Sequence, residues 1–188
     1  MKKTKIFIAC DTTNLVKVKK IINQSKTNKI KIGYKFGLEF MNSKNGRTFL
    51  AKLRKKIIFV DLKLNDTVNT MLSAVKALKD IKINYLTVHI SSGLAALKAV
   101  KKISGPTKIV GVTTLTSLNN NDLKHIGYNK SVKNLVAHQA KLAKKANLDA
   151  LVCSPYEVNA VRKIFKKEII TPGVQIGKRN YDQKRSME

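Results

Sequence analysis

Two opposite charges stand two positions apart where an apolar run ends: Ile57-Ile58-Phe59-Val60 leads into Asp61-Leu62-Lys63-Leu64-Asn65-Asp66. Four consecutive apolar residues build a buried strand, and the two-residue period of a strand puts Asp61 and Lys63 on one face at its C-terminal end. Charges buried there cost several kcal/mol each unless they are paired. They are poor choices for stability alone and suit a site that works with fixed charge. A structural ion pair at the strand end, with Asp66 as a helix N-cap, accounts for the same residues equally well. The segment therefore has to be read with its surroundings.

Other apolar runs end in the same way. The first candidate strand stops at Asp11, and the second carries Lys31 just before Gly33. The fourth ends in His89, followed by Ser91, Ser92 and Gly93; the fifth runs into Thr113-Thr114-Leu115-Thr116-Ser117. The sixth ends Cys153-Ser154-Pro155 and the seventh Thr171-Pro172-Gly173. Each signal alone is weak: a lone histidine is more often structural than catalytic, and Thr-Pro-Gly is an ordinary turn. Together they put polar residues at one end of nearly every strand, as in a barrel whose active site lies at the C-terminal face.

The elements that must position these groups follow from β-branched runs alternating with helical periods. Strands are expected over Lys5–Cys10, Lys29–Gly33, Ile57–Leu62, Tyr85–His89, Lys108–Thr113, Ala150–Cys153 and Ile169–Thr171. Helices are expected near Leu15–Asn23, Gly46–Leu53, Asn69–Lys79, Gly93–Ile103, Val132–Ala146 and Glu157–Phe165. Val132, Leu135, Val136, Gln139, Ala140, Leu142 and Ala143 mark one buried helix face by their i, i+3, i+4, i+7 spacing. The nearly continuous apolar strands suit a parallel sheet covered by helices, either doubly wound or a (β/α)8 barrel. No Gly-x-Gly-x-x-Gly follows the first strand, which argues against a Rossmann dinucleotide site. The strand-end polar residues favour the barrel.

The polar pattern resembles that of the orotidine 5′-phosphate decarboxylase family. Asp61-Leu62-Lys63-Leu64-Asn65-Asp66 followed by Asn69-Thr70 is similar to the family signature Asp-x-Lys-x-x-Asp-x-x-Asn-Thr. The similarity runs in order through Asp11, Lys31-Ile32-Gly33, Val88-His89, Leu115-Thr116-Ser117, Val152-Cys153-Ser154-Pro155, Thr171-Pro172-Gly173 and Asp182-Gln183-Lys184-Arg185. The resemblance implies a TIM-type barrel that decarboxylates orotidine 5′-monophosphate to UMP as a homodimer, without metal or organic cofactor. It implies an alternating array of Lys31, Asp61, Lys63 and Asp66, with Asp66 and Thr70 reaching a partner subunit's site. By the same resemblance Asp11 binds ribose hydroxyls, Ser117 the pyrimidine ring, and Gln183 the ring and phosphate. Lys63 then stabilises and protonates the carbanion at C6, while Asp61 repels the substrate carboxylate.

Two departures from the family pattern bear on these expectations. Thr67-Val68 stand where the family usually has Ile-Pro before Asn-Thr. The sequence also ends at Ser186-Met187-Glu188, inside the expected seventh helix, whereas the family continues for about forty residues, a βα unit and a terminal helix. On this reading the chain is one barrel domain, 1–188, that lacks its last βα unit and the Gly-Arg pair gripping the phosphate. Weak phosphate binding and poor solubility are expected of it.

Composition sets the remaining bounds. At 188 residues with 43% hydrophobic residues, the chain suits one domain with a core. The apolar stretch Ile6–Cys10 is too short for a signal peptide, and two cysteines suit a reduced cytoplasmic protein. A net charge of +27 admits nucleic-acid binding on an inactive barrel remnant as an alternative. Yet the charge is spread along the chain, mostly as lysine with only five arginines (Arg47, Arg54, Arg162, Arg179 and Arg185), unlike a concentrated arginine-rich reader. An orotidine monophosphate site is favoured over that, and over an Mg2+-dependent sugar-phosphate lyase of the same superfamily. That enzyme shares Asp-x-Lys-x-x-Asp but lacks the Asn-Thr and Leu-Thr-Ser stretches.

Overall fold

The computed structural model describes residues 5–173. Seven strands run parallel: β1 (Lys5–Ala9), β2 (Lys31–Phe36), β3 (Ile57–Leu64), β4 (Tyr85–His89), β5 (Lys108–Val112), β6 (Ala150–Val152) and β7 (Glu168–Ile170). Each pairs with the next in sequence, so the sheet order is β1-β2-β3-β4-β5-β6-β7. A doubly wound sheet reverses its order at a switch point, whereas an unbroken sequential order is that of a barrel. The barrel expected from the strand ends is therefore the architecture present. Among the described residues β1 and β7 are the two edges. The Lys5 ammonium meets the Glu168 carboxylate at 3.0 Å, so the sheet curls far enough to bring these edges together at one end.

The helices are α1 (Leu15–Gln24), α2 (Leu38–Met41), α3 (Gly46–Lys52), α4 (Val68–Ala77), α5 (Gly93–Ile103), α6 (Asn120–His125), α7 (Val132–Lys145) and α8 (Val158–Ile164). Side-chain caps start several of them: Asn14 accepts from Val16 and Lys17 N–H, and Ser131 accepts from Asn134 N–H. Asn119 and Asp122 form a reciprocal capping box on α6. The expected face of α7 is buried at Val132, Leu135, Val136, Gln139, Ala140 and Ala143, with Leu142 packed at its margin. The short helices α2 and α6 carry too few turns to show a period and were not anticipated.

Two apolar layers result. The larger lies between sheet and helices and includes Phe36, Phe40, Leu50, Ile58, Leu86, Leu97, Ile109, Leu135 and Phe165. The smaller fills the inside of the curl with Phe59, Tyr85, Val110 and Ala150, flanked by Phe7, Ile57, Val152 and Ile170. Phe7 meets Phe59 and Tyr85 edge-on, each at a centroid distance of 5.0 Å. Gly33, opposite Phe7 in the register, leaves room for this ring, since a Cβ there would stand 2.7 Å from it. Above this aromatic layer the inward positions turn polar.

Candidate active site

At the C-terminal end of β3 the sheet loses its regular register between Val60 and Leu64. Lys63 adopts a left-handed backbone conformation, φ 49°, which a non-glycine residue enters at a cost of about 1–3 kcal/mol. Its N–H donates to the Thr87 Oγ1 of β4 at 2.8 Å, and that hydroxyl donates to Asp61 Oδ1 at 2.9 Å. The Lys63 ammonium donates to the other carboxylate oxygen, Asp61 Oδ2, at 2.9 Å. Asp61 and Lys63 do meet, through a bulged strand end where an ideal pleat was expected.

A second ammonium completes the cluster. Lys35 Nζ lies 3.5 Å from Asp61 Oδ2 and 3.3 Å from Asp11 Oδ1. The alternation therefore runs Asp11, Lys35, Asp61, Lys63 across the ends of β1, β2 and β3. Gly37 leaves space beside it: a Cβ there would lie 3.2 Å from Asp11 Oδ1.

Lys31, expected in this array, is at the wrong end of the barrel. It opens β2, opposite Lys5 of β1, and its side chain is exposed. Lys35 is four residues further on, about 13 Å along the strand, and occupies the place assigned to Lys31. The error lies in taking Gly33 as the end of the second strand. Gly33 is instead mid-strand, kept small by the Phe7 ring, and β2 continues to Phe36.

The remaining expected residues are spread more widely. Asp66 is exposed after β3 and accepts the Thr67 N–H at 2.6 Å; among the described residues it forms no ion pair. Thr70, exposed in the first turn of α4, has its hydroxyl 3.1 Å from that of Thr67. Thr67 itself is the N-cap residue of α4, in place of the Asp66 cap considered above. Ser117 is half-buried in the loop between β5 and α6, on the same end of the barrel as the charges. Gln183, with Asp182, Lys184 and Arg185, lies outside the described residues.

Thr87 was not singled out from the sequence. Its signal was there: Tyr85, Thr87 and His89 share one face of β4 by period two, so an otherwise apolar strand turns a hydroxyl and an imidazole inward above the aromatic layer.

The electrostatics follow from burial and these partners. Burial alone raises the Asp61 carboxyl, but the Lys63 and Lys35 ammoniums, with hydrogen bonds from Lys63 and Thr87, more than offset it and hold the group below its ordinary value. Burial, then the Lys63 charge, push His89 below the usual imidazole range, against the opposing pull of Asp61. Desolvation and neighbouring Asp11 push the Cys10 thiol up to about 11, against Lys35, which makes it an inert thiol. The site thus keeps an ionised carboxylate and two ammoniums in fixed relation.

Fold and site together define a (β/α)-barrel that gathers paired lysines and aspartates at its strand ends. The chain belongs to the orotidine 5′-phosphate decarboxylase / HUMPS family, whose model matches residues 4–188. It is 39% identical over 188 residues to the orotidine 5′-phosphate decarboxylase of Wolbachia sp. subsp. Brugia malayi (strain TRS), covering 96% of this chain and 82% of that protein. It is 41% identical over 158 residues to the orotidine 5′-phosphate decarboxylase of Sphingopyxis alaskensis, covering 81% of this chain and 70% of the relative. The crystal structure of orotidine 5′-phosphate decarboxylase from Lactobacillus acidophilus superposes with a TM-score of 0.81 at 30% identity, over 91% of this chain and 81% of that one.

Proposed function

We propose that this chain is a carboxy-lyase that converts orotidine 5′-monophosphate to UMP and CO2, the last step of UMP biosynthesis. The observation that carries the reading is the Lys63 ammonium, fixed by Asp61 and by its own strained backbone at the C-terminal end of the barrel. Family membership and relatives of that name support it.

The chemistry uses the array in a balanced way. The C6–carboxylate bond breaks, CO2 leaves, and the electron pair stays on C6 with no adjacent sink. An ammonium already in place stabilises that pair and then transfers its proton to C6, so Lys63 acts as electrostatic partner and acid. Asp61, held ionised, faces the substrate carboxylate and raises the ground state more than the transition state. Lys35 takes the position first given to Lys31, keeping Asp61 charged and linking it to Asp11, the ribose-binding candidate. Ser117 serves the pyrimidine ring and Gln183 the ring and phosphate. The exposed Asp66 and Thr70 act across the interface of a homodimer. No helix among the described residues is long and apolar enough to cross a membrane, and the reading is of a cytoplasmic enzyme.

The sugar-phosphate reading requires Mg2+ beside these carboxylates. Two ammoniums within 3.5 Å of Asp61 oppose a divalent cation there. Loss of orotidine 5′-monophosphate absorbance in the presence of EDTA tests the assignment. Turnover without added metal is the expected result. Inert, folded protein that instead turns over a hexulose or keto-gulonate phosphate with Mg2+ would overturn it.

A further inference from the structure

The Thr87 hydroxyl stands between the two groups to which the chemistry is given, without itself lying at the open end of the cluster. Thr87 is fully buried. Its Oγ1 accepts the backbone N–H of Lys63 at 2.8 Å and donates its own proton to Asp61 Oδ1 at 2.9 Å. A hydroxyl has one proton to donate and lone pairs to accept with, so both bonds form at once. The regular β3–β4 ladder is interrupted between Val60 and Leu64, at the stretch where Lys63 turns left-handed. The side chain of β4 thus supplies the acceptor that the Lys63 N–H uses in that conformation.

The carboxylate is divided accordingly. Oδ1 takes the neutral hydroxyl, while Oδ2 takes Lys63 at 2.9 Å and Lys35 at 3.5 Å. Rotation of the carboxyl group would exchange these partners, and the Thr87 bond opposes it. We infer that Thr87 is a positioning residue for the decarboxylation: one hydroxyl sets the rotation of the Asp61 carboxylate and fixes the left-handed backbone that aims Lys63. This rests on the function proposed above. It makes no claim that Thr87 touches substrate, so its removal should be felt in kcat more than in KM.

The test compares Thr87→Val, which keeps shape but loses the hydroxyl, with Thr87→Ser, which restores it. Thr87→Val is expected to lower kcat about 10- to 100-fold with KM within about threefold, and Thr87→Ser to return kcat to within about threefold of the parent. The acid limb of the kcat profile should move to higher pH in the valine variant, because Asp61 loses a hydrogen bond that favours its ionised form. The groups facing Asp61 are Lys63 on its own strand, Lys35 on β2, backed by Asp11 after β1, and His89 on β4. None of them is altered by the substitution. Unchanged kcat and acid limb in Thr87→Val, or equal loss in both variants with a lowered melting temperature, would overturn the inference.

A second readout does not depend on activity. The Lys63 amide should exchange with solvent at least about tenfold faster in folded Thr87→Val and return toward the parent rate in Thr87→Ser. Equal exchange in all three proteins would also overturn it. An inactive parent with the predicted exchange pattern would count against the assigned reaction and leave the positioning role standing.

Discussion

The two ends of this barrel carry clusters built from nearly the same parts. At the C-terminal end, Asp61 is held by Lys35, Lys63 and the hydroxyl of Thr87. At the N-terminal end, Glu168 is held by Lys5 and Lys108, each at 3.0 Å, and by the hydroxyl of Tyr85 at 3.2 Å. Each is one carboxylate between two ammoniums with a hydroxyl alongside, and Phe7, Phe59 and Tyr85 separate them. Exposure separates them only modestly: the lysine side chains are 25% and 35% exposed above and 27% and 44% below, and the carboxylates 13% for Asp61 and 24% for Glu168. The backbone separates them further. The lower lysines open regular strands and tie β1 and β5 to β7, whereas Lys63 stands in a left-handed conformation at a broken ladder. A charge cluster is therefore not a reaction site by composition. Under the function proposed above, its place at the strand C-termini and the strain stored there set the upper cluster apart.

Substitutions can break this comparison. The largest effect after Lys63 is expected for Asp61→Asn, which should lower turnover of orotidine 5′-monophosphate by about 1,000-fold or more while the protein stays folded by circular dichroism. Lys35→Ala should cost about 100-fold, whereas Lys31→Ala, at the far end of the same strand, should stay within about twofold. Equal effects in the steady-state assay would dissolve the distinction between the two lysines. Glu168→Gln should leave kcat within about twofold but destabilise the fold by about 1–3 kcal/mol in urea melts, since two half-buried ammoniums lose their counter-charge.

The smallest expected effect is on pH dependence. Burial raises the Glu168 carboxyl, but hydrogen bonds from Lys5 and Lys108 and their charges bring it below its ordinary value. A carboxylate whose folded pKa is depressed stabilises the fold above its unfolded pKa, and that contribution is lost as pH falls through the folded one. Urea midpoints of the parent should therefore fall more steeply through the acidic carboxylate range than those of Glu168→Gln. Parallel curves would mean that the lower cluster is not coupled to folding.

Much of this was legible in the sequence. Period-two placement of Asp61 and Lys63 and the polar ends of successive strands led to the barrel, whose sequential strand order bears that out. The β2 boundary was not legible. A glycine in a strand reads as a break unless its neighbour is known, and the Phe7 ring that requires Gly33 comes from another strand. That single misreading put Lys31, and not Lys35, beside Asp61. The inward placement of Thr87 could be read from the period of β4, but its bonds to Lys63 and Asp61 could not, because they depend on a register shift between β3 and β4 that no local pattern records. The lower cluster joins residues 5, 85, 108 and 168, a grouping only the curl of the sheet creates.

The most direct measurement is the rate of absorbance loss from orotidine 5′-monophosphate, in EDTA, for the parent chain and Lys63→Ala, with UMP binding as a check on folding. Turnover by the parent and a loss of about 10,000-fold or more in the folded variant are expected. A Lys63→Ala protein within about tenfold of the parent would contradict the proposed function, because the ammonium that the bulged strand holds in place would then not be the group that acts at C6.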